Sequence, residues 1–137
     1  MKKILLFIIL IGFISCSDNN NESALDSALE GEWVLTDVLC YCAFSENVDF
    51  STHRLVFDTN TNEIVISNNP DRSFFYDAGT YNFSSNQDKV LQIVGSDKSY
   101  VYEIDGNVLS LTYVDNPMIA DDEVTYKYIK NKVSKHQ

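Results

Sequence analysis

Positive charge is scarce in this chain of 137 residues: ten lysines and arginines stand against twenty aspartates and glutamates. Phosphate backbones are held by clustered cations, so this balance excludes nucleic acid as a partner. Glycine is limited to five residues, and none belongs to a phosphate-cradling loop, a Walker-type lysine motif or a dinucleotide fingerprint. Histidine occurs twice. A hydrolytic triad needs a histidine between a nucleophile and an acid, and His53, the only one inside the folded region, has no Gly-x-Ser-x-Gly motif beside it. Asp121-Asp122-Glu123 could hold calcium or do acid–base work, yet in so acidic a chain a solvated charge run explains it. The sequence therefore points to no catalytic residue and no metal. Long apolar runs are missing too. None reaches the roughly 20 residues a helix needs to cross a bilayer, which argues against a spanning segment.

What is present begins at the N-terminus. Met1-Lys2-Lys3 leads into an apolar run from Ile4 to Ile14 and then Ser15-Cys16, the layout of a signal peptide over residues 1–15. The boundary Phe13-Ile14-Ser15-Cys16 resembles the bacterial lipobox, with an aromatic residue where leucine is usual. That resemblance implies a diacylglycerol and an acyl group such as palmitate on Cys16, and no other cofactor. Ser17-Asp18-Asn19-Asn20-Asn21-Glu22 is similar to the surface-export tether of Bacteroidota-type lipoproteins, and a plain solvated linker has the same composition. The resemblance implies a cell-envelope protein anchored by lipid to the outer membrane, on its periplasmic or its outer side. Residues 16–29 are then a lipidated polar tether, with a loose helical turn at Glu22 to Leu29. Within it Asp26-Ser27-Ala28 is similar to an O-glycosylation motif of the same bacteria and also reads as helix-starting polar residues. Without residues 1–15 the chain keeps 8 basic and 20 acidic side chains, a formal charge of −12.

From residue 30 to 130 there is enough chain for one core and too little for two. Its period is two: Leu55 and Phe57 alternate with Arg54 and Asp58, Ile64 and Ile66 with Glu63 and Ser67, and Tyr81 and Phe83 with Asn82 and Ser84. Further runs at Leu91 to Ile93, Tyr100 to Ile104, Leu109 to Tyr113 and Val124 to Tyr128, with Trp33 to Leu39, predict eight half-buried strands. The joints are turn chemistry, as in Asp58-Thr59-Asn60-Thr61-Asn62 and Asp105-Gly106-Asn107. Short joints imply an antiparallel meander. Eight such strands protect their edges by closing into an all-β up-and-down barrel, with residues 131–137 as a polar tail.

Gly31-Glu32-Trp33 on the first strand, the meander behind it and the basic Lys130 on the last strand are similar to the lipocalin-like, calycin-type domains of small bacterial lipoproteins. The resemblance implies that Trp33 packs across the closed end of the barrel with a cation on its face. Lys130 takes the place of the usual arginine, which keeps the cation–aromatic contact and forgoes bidentate bonding. Residues 115–122 then form a rim or lid loop.

Nine aromatics are candidates for the interior: Trp33, Phe57, Tyr81, Phe83, Tyr100, Tyr102, Tyr113, Tyr126 and Tyr128. They either fill a small lumen or leave a hydrated pocket lined by the phenols of Tyr81, Tyr100, Tyr102, Tyr113, Tyr126 and Tyr128, which need partners when buried. Cys40 and Cys42 admit three readings: a disulfide, two reduced thiols packed as small apolar groups, or a metal site completed by His53. Phe74-Phe75-Tyr76 reads as an apolar interaction patch if exposed, and as a plug for the barrel mouth if not. Two functions remain. One is a tethered, non-enzymatic module binding a small hydrophobic or aromatic ligand. The other is a scaffold, inhibitor or accessory protein with a filled core, contacting an envelope protein through rim loops Ala43 to Thr52 and Asn68 to Asp77.

Overall fold

A computed structural model of the protein describes residues 26–45, 47–114 and 123–132. The segments expected to be a signal peptide with Cys16, a tether as far as residue 25, a rim or lid loop at 115–122 and a polar tail at 133–137 lie outside the described residues. Eight strands follow one another: β1 (Gly31–Leu39), β2 (Arg54–Asp58), β3 (Glu63–Ser67), β4 (Gly79–Ser85), β5 (Val90–Ile93), β6 (Ser99–Asp105), β7 (Val108–Tyr113) and β8 (Thr125–Lys130). Each pairs antiparallel with the next, and β8 returns to pair with β1, so the sheet closes into an eight-stranded barrel. The alternation has the expected consequence: Leu55, Phe57, Ile64 and Ile66 point inward while Arg54, Val56, Glu63 and Val65 face out.

β1 departs from strict alternation, and the departure closes the barrel. Trp33 and Leu35 are buried, Thr36 and Asp37 are exposed, and Val38 is buried again. The register against β8 slips between Leu35 and Asp37. One extra residue in a strand bends it and raises its local twist. β1 can therefore pair with β2 through Gly31 to Val34 and with β8 along almost its whole length. The Thr36 hydroxyl, carried outward by the bulge, donates to the Lys127 carbonyl at 3.0 Å.

Chain preceding β1 seals one end. A 3-10 turn, η1 (Ser27–Leu29), is capped by Asp26, whose carboxylate accepts the Ala28 N–H at 2.9 Å. Leu29 is fully buried, and its carbonyl accepts the indole N–H of Trp33 at 2.8 Å. The Glu30 carboxylate accepts the Thr59 N–H and hydroxyl at 2.7 and 2.8 Å, tying this segment to the β2–β3 turn. The Lys130 ammonium lies 4.9 Å from the centre of the Trp33 ring. Gly31 precedes Trp33 with a backbone φ of +109°, a conformation that residues with a side chain rarely adopt, and a Cβ there would lie in ordinary contact range of Lys130 Cε. The folded domain thus includes Asp26 to Leu29 and does not begin at residue 30. The expectation of a tether running to Leu29 fails because Leu29 belongs to the core.

The lumen is packed. Trp33, Phe57, Phe83, Tyr102 and Tyr128 are each no more than 2% exposed, and Phe57 and Phe83 meet edge to face at 5.1 Å. Side chains of this size fill an eight-stranded barrel of ordinary diameter.

Candidate functional site

The opposite end of the barrel carries the chemistry. Two long connections meet there, Cys40 to His53 between β1 and β2, and Asn68 to Ala78 between β3 and β4. Phe44, Phe50 and Phe74 form one aromatic cluster across them, with ring centres 5.4 to 6.1 Å apart. Phe75 reaches the other way, onto Tyr100 at 4.7 Å and Tyr126 at 5.8 Å. Consecutive residues on an extended chain face opposite sides, so Phe74 and Phe75 can both point inward only if the backbone leaves strand geometry. It does: Phe75 has φ +61°, a conformation bulky residues rarely adopt. With Phe74 7% and Phe75 8% exposed, and the Tyr76 hydroxyl bonded to Ser96 Oγ, the three aromatics plug the mouth. Reading Phe74, Phe75 and Tyr76 as an exposed interaction patch is therefore incorrect. The rim loops spend their apolar side chains on each other.

Asn68 anchors the plug. Its side-chain oxygen accepts the Phe74 N–H at 3.1 Å and the His53 Nδ1–H, while its amide donates to the Tyr76 carbonyl at 2.7 Å. Since that oxygen can only accept, His53 must be the Nδ1–H tautomer, and its Nε2 accepts the Tyr128 hydroxyl proton at 3.0 Å. His53 is completely buried. Burial pushes its pKa below the usual 6.5, against opposing bonds to Asn68 and the Ser67 backbone. Both imidazole nitrogens are thus occupied. In this arrangement neither nitrogen is turned toward the cysteines.

The cysteines are joined: Cys40 and Cys42 form a disulfide with Cα atoms 5.1 Å apart. An extended strand would set them at about 6.6 Å, so the chain tightens as β1 ends. Tyr41 between them is fully exposed. A ring this small removes little unfolded-state entropy, about 1.6 kcal/mol by loop-closure arithmetic. Reduction of the mature protein is expected to release two titratable thiols and to lower the unfolding free energy by no more than about 2 kcal/mol. A denaturant series with and without reductant measures it, and a much larger loss would mean that the disulfide supports the whole mouth.

The six candidate tyrosines separate by height along the barrel. Tyr102 sits at the sealed end, with its hydroxyl 3.3 Å from Asp26 Oδ2 and the Lys89 ammonium 5.9 Å from its ring. Tyr128 lies in the core against His53. Tyr81 stands at the rim, its hydroxyl on the Asp77 carbonyl and its ring against Tyr76. None of these three lines the two depressions that Tyr126 borders at the mouth. Tyr100, Tyr113 and Tyr126 do come together. With Lys98 and Val124 they line a depression of about 240 Å³. Val124 and Tyr126 also border a neighbouring one of about 410 Å³, walled by Val38, Phe44, Phe74 and Arg72. The two adjoin across Val124 and Tyr126, and together they are termed the groove. Burial raises the phenol pKa of Tyr100 far above 10 and that of Tyr126 also upward. Both stay protonated at neutral pH, able to donate a hydrogen bond and to offer a ring face, and unfit to act as phenolate nucleophiles.

Arg72, Lys98 and Asn68 are the contributors that sequence patterns did not single out. They occupy loops, where no periodicity marks a side chain's direction. No known protein family matches this chain, and no curated protein matches it.

Proposed function

We propose that this protein is a membrane-tethered, non-enzymatic binding module of the cell envelope. It takes a small aromatic or amphipathic molecule in the groove at the barrel mouth, above a filled lumen. The observation that carries this is the pair of adjoining depressions that share Val124 and Tyr126, one of them lined also by Tyr100 and Tyr113, because ligand sites combine an apolar concave floor with a few convergent polar groups. Tethering rests on the lipobox-like Phe13 to Cys16. The lipocalin-like relationship rests on Gly31-Glu32-Trp33 facing Lys130 across the β1–β8 seam. On this reading acyl chains on Cys16 hold the acidic domain about ten residues from the outer membrane.

N-Phenyl-1-naphthylamine, a neutral dye that brightens in apolar surroundings, is expected to bind the folded protein, and Tyr126→Ala to weaken it about tenfold, the worth of one stacked ring and its buried area. Absence of dye uptake would sink the binding reading and favour the second one. That second reading, a scaffold or inhibitor acting on an envelope protein, is favoured by the filled lumen. Cys16→Ser is expected to move the protein from the membrane fraction to the soluble fraction, read by fractionation and acyl labelling. Retention at the membrane would show that the anchor lies elsewhere.

A further inference from the structure

The described residues of the connections at the mouth, 40–45, 47–53, 68–78, 94–98, 114 and 123–124, contain only two lysines or arginines, Arg72 and Lys98. Both line the groove, one on each side of the Val124 and Tyr126 wall. The same connections hold the carboxylates of Asp49, Asp71, Asp77, Asp97 and Glu123, yet among the described residues no carboxylate lines the groove. Asp49 and Asp71 lie with Arg72 along an adjoining depression. Asp49 accepts the N–H and hydroxyl of Ser51 at 2.9 and 2.6 Å. Among the described residues the one ion pair is Arg54 with Glu32, on the outer wall. The Arg72 guanidinium instead lies 6.0 Å from the centre of the Phe44 ring, at the groove's edge, with no ion pair to a carboxylate among the described residues.

We infer that the groove selects an anionic ligand: a flat aromatic or amphipathic molecule bearing a carboxylate or sulfonate, its charge held by Arg72 and its apolar body laid over Tyr126, Val124 and Phe74. This rests on the binding reading proposed above. The guanidinium presents a planar fork that matches a carboxylate or sulfonate with paired hydrogen bonds, and it stands where the apolar floor ends. The net charge of the protein repels such a ligand at a distance, so selectivity has to come from this local contact. Salt screens the long-range repulsion more than the short contact, and association is therefore expected to quicken with moderate salt.

Two dyes with the same aryl framework test it on the full-length protein: neutral N-phenyl-1-naphthylamine and 1-anilinonaphthalene-8-sulfonate, which adds one anion. The sulfonate is expected to bind about tenfold tighter than the neutral dye. Arg72→Gln is expected to abolish that advantage and leave the neutral dye unchanged, a loss within the range of a charge-assisted hydrogen bond. Arg54→Gln removes the same charge from the outer wall and is expected to leave both affinities unchanged. Equal binding of the two dyes by the natural protein, an equal loss of both in Arg72→Gln, or an equal loss of the sulfonate in Arg54→Gln overturns the anionic selectivity while the binding reading stands. No binding of either dye overturns both.

Discussion

Trp33→Ala is expected to cost about 4 kcal/mol, the largest effect of any single truncation in the domain. Replacing a buried tryptophan by alanine removes its transfer free energy and leaves a cavity, together about 3–5 kcal/mol. Trp33 sits where collapse is hardest. It is fully buried, its indole N–H satisfies the Leu29 carbonyl, and its outer face carries the Lys130 ammonium. Removing it detaches η1 from the barrel end and leaves a buried carbonyl without its donor. Domains of this size hold only about 5–15 kcal/mol in all, and each kcal/mol moves the melting temperature by about 4–8 °C. The urea midpoint should fall steeply at constant slope. A loss under about 1.5 kcal/mol would mean that the sealed end contributes little and that Leu29 and Glu30 hold it without the indole. Trp33→Phe, which keeps much of the volume and loses the donor, should recover more than half of the difference.

The barrel was legible in the sequence because a barrel writes a two-residue period into every strand, and the polar turns mark each joint. The pairing of Trp33 with Lys130 came from the resemblance to lipocalin-like domains and not from the period, and the β1–β8 seam brings the two together. Height along the barrel was not legible. Alternation tells whether Tyr102 or Tyr113 points inward, but not at which end, and that difference separates a group beside Asp26 from one lining the groove. Leu29 was missed because a single 3-10 turn carries no period. Phe74 and Phe75 looked like a patch because three consecutive aromatics cannot all face inward on a strand, and only the positive φ at Phe75 allows two of them to do so. The Asn68 network joins residues 15 and 75 positions apart, a separation at which no local pattern exists.

That network carries the second large effect. Asn68→Ala removes one acceptor serving two donors and one donor serving the Tyr76 carbonyl. A buried polar group left without a partner costs about 1–3 kcal/mol. Water reaches part of the rim but not His53, so about 3 kcal/mol is expected in total, together with looser packing of Phe74 to Tyr76. The pH dependence follows from the same geometry. His53 is held neutral by burial, with its folded pKa below 6.5, and protonating Nε2 would turn its acceptor for the Tyr128 hydroxyl into a second donor aimed at that oxygen. The folded state therefore binds fewer protons than the unfolded chain once pH drops below about 6.5. Stability conferred by His53 is fully present above that pH and is lost as pH falls toward the lowered value. Asp49 and Asp58, whose carboxyls are held below 3.8 by Ser51 and by the Asn60 and Thr61 backbone, act in a separate window that opens only below about pH 5. Urea midpoints of the natural protein should thus be level from pH 8 to 7 and decline between pH 6.5 and 5. His53→Gln should start lower and show no decline across that interval. An equal slope in the variant would place the acid sensitivity outside the His53, Asn68 and Tyr128 network, whereas its disappearance would identify the buried imidazole as the group that ties the mouth plug to the core.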